Sequence, residues 1–193
     1  MEESAELKAR IVREAMVVFA EKGYAQTTLV DIGNRVGLSR PGILHHFAAK
    51  EILFREVLEE LFHWGQRQLD RALTGEGLPT VRELAAFLGG SDDAVVPLRL
   101  IHVLEGEAVA GNPIALEYAA RRTTAVITEI RHRLERARDD GVIDPDADLS
   151  AAAALIAAAI NGLQRQWLID PDAVTLPAFD LLIGTLSAQL GRG

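Results

Sequence analysis

The chain has 193 residues, room for one large or two small domains, and 49% of them are hydrophobic, so a sizeable core can be buried. Cysteine is absent, which removes disulfides, thiol nucleophiles and Cys-ligated zinc together and suits a reducing compartment. A formal net charge of −8 looks wrong for a nucleic-acid binder, but phosphates respond only to the local surface field.

Strand signals are almost absent and helical spacing recurs throughout, so the expected fold is all-α with about nine helices. The first helix is expected over about Ala5 to Lys22, with Leu7, Ile11, Ala15, Val18 and Phe19 on one face and Gly23 as its stop. Thr28 caps the second, with Asp31 three residues on as a capping box; Ile32 and Val36 point inward and Gly37 ends it. The third begins at Ser39. A fourth, from about Ala49 to Leu73, carries Leu53, Val57, Leu61 and Trp64 along one stripe, and "TGEGLP" then reads as a break.

Thr80 and Glu83 form a second capping box opening "TVRELAAFL", closed by Gly89-Gly90. Asp92 or Asp93 opens "AVVPLRLIHVLEGEAVA". Asn112-Pro113 is a cap followed by an N1 proline, and that helix is expected to reach Asp140 before Gly141. Asp148 or Ser150 starts the Ala-rich helix through "QRQWLI", and a last helix runs from about Pro177 to Leu190 with Phe179, Leu182, Ile183, Leu186 and Leu190 apolar. The longest apolar run, Ala151 to Ile160, falls far short of the roughly 20 residues a bilayer span needs. "MEESAELKAR" lacks an apolar signal core, so the expected location is cytoplasmic, with no membrane partner.

The stretch "VGLSRPGILHHFAAKE" carries the chemistry. With Ser39 as N-cap, Pro41 lies in the first turn, where its missing N–H loses no intrahelical bond. Gly42 removes a side chain where a backbone can approach a partner. Gly37 and Leu38 alone separate two short helices, which makes a helix–tight turn–helix unit whose second helix would offer Ser39, Arg40, Pro41 and Gly42 to a major groove. Arg40 can fork onto a guanine edge or hold a phosphate. Adjacent helical residues point about 100° apart, so His45 and His46 do not chelate one ion as an i,i+4 pair would; phosphate contact suits His45 better, and partial packing or phosphate contact suits His46. From Lys8 to Lys50 the bases Lys8, Arg10, Arg13, Lys22, Arg35, Arg40 and Lys50 outnumber the acids Glu14, Glu21 and Asp31.

"ARIVREAMVVFAEKGYAQTTLVDIGNRVGLSRPGILHHFAAKEILFREVL" resembles the N-terminal domain of the TetR family of bacterial transcriptional repressors. Ala15, Phe19, Gly23, Tyr24, Thr28, Ile32, Gly37, Ser39, Phe47, Lys50, Glu51 and Leu53 carry the likeness. The resemblance implies a homodimeric regulator. Residues 1–50 would be a helix-turn-helix DNA-binding domain, and 51–193 a larger helical bundle for ligand binding and dimerisation through the last two helices. Its partners would be double-stranded operator DNA and a small-molecule effector that releases the repressor, with no cofactor and no catalytic residue. By position, Thr28, Ser39, Arg40, Gly42, His45, His46 and Lys50 would contact DNA, joined by Pro41. Three positions depart from the family pattern. Leu44 replaces the usual aromatic, so His45 takes over a phosphate contact. Gly33 stands where alanine is usual, loosening the second helix. Ala49 replaces a polar cap.

Candidate pocket residues are Phe62, Trp64, His102, Glu105, Tyr118, Asn161, Gln164 and Trp167, since pockets are apolar with few polar groups. His102-x-x-Glu105 and Glu129-x-x-His132 resemble fragments of carboxylate–histidine metal motifs. A di-iron bundle needs two Glu-x-x-His units and two further glutamates. Arg131 and Arg133 flank Glu129-x-x-His132 as on a solvated face. The alternative functions are a helical-bundle enzyme, which lacks a phosphate loop, a nucleophile elbow and a complete metal set here, and a ligand-binding protein without DNA-binding activity.

Overall fold

A computed structural model describes residues 2–72, 92–172 and 176–191 of the chain. Among them eight helices follow one another: α1 (Glu2–Gln26), α2 (Leu29–Val36), α3 (Arg40–His46), α4 (Lys50–Ala72), α5 (Asp92–Val109), α6 (Pro113–Asp139), α7 (Leu149–Ile169) and α8 (Leu176–Leu190). The only β contact among the described residues is an isolated bridge between Ile143 and Gly191. The expected helix after Thr80, its cap pair with Glu83, the "TGEGLP" break and Gly89-Gly90 lie outside the described residues, as does the side chain of Phe179.

The chain divides into two compact units that interleave along the sequence, whereas the domains expected above are consecutive. One unit comprises Met1–Gly65 and Val96–Ala119; the other comprises Gln66–Val95 and Ala120–Gly193. The division falls within α4, α5 and α6.

The first unit contains α1, α2, α3 and the first part of α4. Its core follows the apolar spacing of the sequence: Ile11, Ala15 and Phe19 from α1, Ile32 from α2, Ile43 from α3, and Leu53, Phe54, Val57 and Leu61 from α4 are all fully buried. Phe19 and Phe54 meet with ring centroids 4.8 Å apart, and Tyr24 adds its ring to Phe54 at 4.5 Å. Such pairs add about 0.5–1.5 kcal/mol to what the rings gain from burial. Gly23 interrupts α1 with φ 72 and ψ 174, a backbone region that only glycine occupies at little cost.

In the second unit, Ile130, Leu134, Ala137, Ile143, Leu149, Ala153, Ile156, Ile160, Leu186 and Leu190 form a continuous core. Asp148 caps α7 through the Ala151 N–H at 3.0 Å. The alanine-rich helix has two faces: Ala152, Ala153, Ile156, Ala157 and Ile160 are buried, while Ala151, Ala154, Leu155 and Ala158 are exposed. Arg133, expected on a solvated face, is 1% exposed. It sits on the buried side of α6 between Ile130, Leu134 and Ala137, so helical phase decides its burial over charge.

Candidate nucleic-acid interface

The capping box at Thr28 forms as its spacing requires. Thr28 Oγ1 accepts the Asp31 N–H at 3.2 Å, and Asp31 Oδ2 accepts the Thr28 N–H at 2.8 Å. Lys22 donates to Asp31 Oδ1 at 2.6 Å. That bond, with those from Thr28, holds the Asp31 carboxyl well below the usual carboxylate range. The Thr28 hydroxyl also donates to Asp31 Oδ2, so it is committed to the cap.

At its other end α2 closes on Gly37, left-handed at φ 73 and ψ 29. The Leu38 N–H returns to the Gly33 carbonyl at 2.9 Å, the bond that closes a Schellman turn. Gly33 was expected to loosen the helix, but its bareness serves this turn. A Cβ there would stand 2.4 Å from the Leu38 carbonyl oxygen.

Ser39 then caps α3 by accepting the Gly42 N–H at 3.3 Å, with Pro41 inside the first turn. Ile43 is the one fully buried residue of α3 and pins the helix to the core. Ser39, Arg40, Pro41 and His45 are exposed, while Gly42, Leu44 and His46 are half-buried. The two imidazoles meet edge to face with centroids 5.3 Å apart. Among the described residues no group of three His, Cys, Asp or Glu side chains converges on one point.

The positive charge counted along the segment is largely taken up inside the molecule. Lys8 pairs with Glu56 at 3.5 Å, Lys22 with Asp31, and Arg35 with Glu14 at 2.9 Å. Arg10 Nη2 donates to the Val36 carbonyl at 2.7 Å, tying α1 to the end of α2. Lys50, expected to reach a phosphate, donates instead to the carbonyls of Tyr24 at 2.8 Å and Thr27 at 2.9 Å, and stands 4.2 Å from the Tyr24 ring centroid. Arg40 makes no side-chain contact of this kind among the described residues and projects from the first turn of α3. Sequence reasoning missed Arg10 as a brace and Lys50 as a clamp because their partners are 26 and 23–26 residues away.

The pocket candidates do not gather in one unit. Phe62, Trp64, His102, Glu105 and Tyr118 belong to the first unit; Asn161, Gln164 and Trp167 belong to the second. His102 and Glu105 do meet, Nδ1 to Oε2 at 2.9 Å, and Asn161 Oδ1 accepts from Arg122 at 3.1 Å. A groove of about 540 Å³ in the first unit is lined by Ala5, Lys8, Ala9, Val12, Arg13, Glu56, Glu59, Glu60 and His63, none of them a candidate.

Residues 11–57, the segment just described, match the model for "Bacterial regulatory proteins, tetR family". Over 182 residues the chain is 30% identical to the HTH-type transcriptional regulator TtgR of Pseudomonas putida, spanning 91% of this chain and 86% of that one. The chain belongs to the tetR family. Its all-helical architecture matches a TetR transcriptional regulator from Chloroflexus aurantiacus at a TM-score of 0.83 and 25% identity, covering both chains in full. SmeT of Stenotrophomonas maltophilia in complex with triclosan has the same fold, at a TM-score of 0.72 and 23% identity over 97% of this chain and 92% of that one. As a TetR-family member the protein is a DNA-binding transcriptional regulator through its helix-turn-helix, and the enzyme alternative falls away. Among the described residues no helix is long and apolar enough to cross a membrane.

Proposed function

We propose that this TetR-family regulator is a homodimeric repressor that reads a twofold operator with α3 and leaves it when a small molecule binds. The observation that carries the reading is the start of α3. An arginine with no side-chain partner among the described residues stands beside a Pro-Gly backbone, at the start of a helix whose one fully buried residue is Ile43. Arg40 forks onto a base edge in the major groove, Pro41 and Gly42 let the backbone approach, and Ser39, His45 and His46 hold the flanking phosphates. Thr28 and Lys50 act one step back, closing the scaffold that carries α2.

The second copy docks on α7 and α8. Leu155 on α7 is 50% exposed and Leu181 on α8 is 73% exposed, and the alanines beside Leu155 allow close helix approach. Release by an effector requires that it bind one spacing of the two reading helices better than another; equal affinity for both shifts nothing. His102 is a candidate effector contact, because its Nε2 is buried with no hydrogen-bond partner among the described residues while Nδ1 is held by Glu105.

Selection of bound fragments from genomic DNA, followed by titration of the winning sequence, tests the reading. Arg40→Ala loses about 1–3 kcal/mol of discrimination between operator and mismatched DNA. Unchanged affinity and unchanged preference in that variant rule out α3 as the reader.

A further inference from the structure

Glu107, near the C-terminal end of α5, belongs to neither the reading helix nor the expected pocket. Its carboxylate has two partners at once. Oε1 accepts the backbone N–H of Tyr24 at 2.7 Å, and Oε2 accepts Asn112 Nδ2–H at 2.9 Å. Asn112 in turn caps α6, its Oδ1 accepting the N–H groups of Ile114 at 3.1 Å and Ala115 at 3.3 Å.

The Tyr24 amide needs an acceptor from elsewhere because Gly23 takes the chain out of helical geometry just before it. Gly23 also supplies the room, since a Cβ on it would lie 2.6 Å from Glu107 Oε1. The Gly23 carbonyl accepts the Thr27 hydroxyl at 2.7 Å, and the carbonyls of Tyr24 and Thr27 are taken by Lys50. The next residue, Thr28, caps α2. The corner that sets the direction of α2, and of α3 beyond it, is therefore closed by side chains of α4 and α5.

We propose that Glu107 is a positioning residue for DNA reading: its carboxylate fixes the Gly23–Thr28 corner from which α2 and α3 are aimed, and joins that corner to the start of α6 through Asn112. A charge-assisted N–H···O bond is about twice as strong as a neutral one and falls off steeply with misalignment. Any displacement of α5 against α1 is thus felt first at the Tyr24 amide. This inference rests on α3 being the reading helix.

Glu107→Gln tests it with almost no change of volume. Whichever way the new amide turns, it sets an N–H against the N–H of Tyr24 or of Asn112, and Asn112 cannot turn over without losing its cap on α6. Asn112→Asp in the same chain removes the second conflict and keeps a capping oxygen. The single variant is expected to bind the selected operator about tenfold more weakly, to bind random-sequence DNA as the wild type does, and to exchange its Tyr24 amide hydrogen faster. The double variant recovers operator affinity. If the single variant fails to fold, a folded double variant with wild-type operator affinity still upholds the inference, and one that binds weakly overturns it. A folded Glu107→Gln protein with wild-type operator affinity, or with equal losses on operator and random DNA, also overturns it. A wild-type chain that selects no DNA removes the α3 reading as well, whereas a wild type that does, matched by its Glu107→Gln variant, removes only this inference.

Discussion

Lys50 separates two physical roles that the sequence alone leaves merged, and Lys50→Met distinguishes them. The substitution keeps the unbranched stem and removes the ammonium. In the folded protein it deletes two charge-assisted bonds, to Tyr24 and Thr27, and the cation over the Tyr24 ring. Lys50 is half-buried, so water re-satisfies part of what the two carbonyls lose, and about 1 kcal/mol for each bond is a fair allowance. The ring contact adds about 0.5–1 kcal/mol. Together these give a destabilisation of about 2.5–3 kcal/mol, or roughly 5–12 °C in Tm for a chain of this size. The assay pairs thermal unfolding with operator titration across salt. A clamp predicts the lower Tm and an unchanged slope of log affinity against log salt. A phosphate contact predicts an unchanged Tm and a slope shallower by about 0.9 for each phosphate lost. The second outcome would refute the assignment of Lys50 as a clamp.

Glycine substitutions probe the turn. Gly33→Val is expected to destabilise by about 1–3 kcal/mol or more through its clash with the Leu38 carbonyl, whereas Gly65→Ala in α4, which meets nothing within 4 Å, is expected to stabilise by up to about 1 kcal/mol; denaturant unfolding reads both. The folded-state pKa of Asp31 is depressed, so its contribution is present above the unfolded value of about 4 and is lost as pH falls through the folded value. Asp31→Asn should therefore lower Tm at neutral pH, with the gap to wild type closing in strong acid; a gap independent of pH contradicts this. Leu155→Arg with Leu181→Arg should convert a dimer to a monomer in light scattering, and a persistent dimer would move the interface elsewhere.

Much of the reading unit is legible because its devices are local. Thr28 with Asp31, the left-handed Gly37 and the Ser39 cap each act over three or four residues, and the spacing alone reveals them. The apolar stripe of α1 is legible for the same reason. What stays hidden depends on partners distant in sequence. A count of cations cannot show that Arg35 faces Glu14 across 21 residues, or that Lys50 turns inward, so the local positive excess overstated the charge available to phosphate. Gly33 could not be told from an ordinary helix-weakening glycine without the position of the Leu38 carbonyl. Glu107 lies 83 residues from Tyr24, and no pattern near either announces the bond. Arg133 shows the converse error, in which residue type outweighed helical phase. Phe62, Trp64, His102, Glu105 and Tyr118 lie in one unit and Asn161, Gln164 and Trp167 in the other, a division that residue type does not reveal.

The most direct test of the account is a footprint of the wild-type protein on its selected operator, read as protection of guanine N7 in the major groove. The account predicts two protected patches on successive major grooves, about 34–36 Å apart, both lost in Arg40→Ala. A single patch, or protection confined to the minor groove, would contradict it.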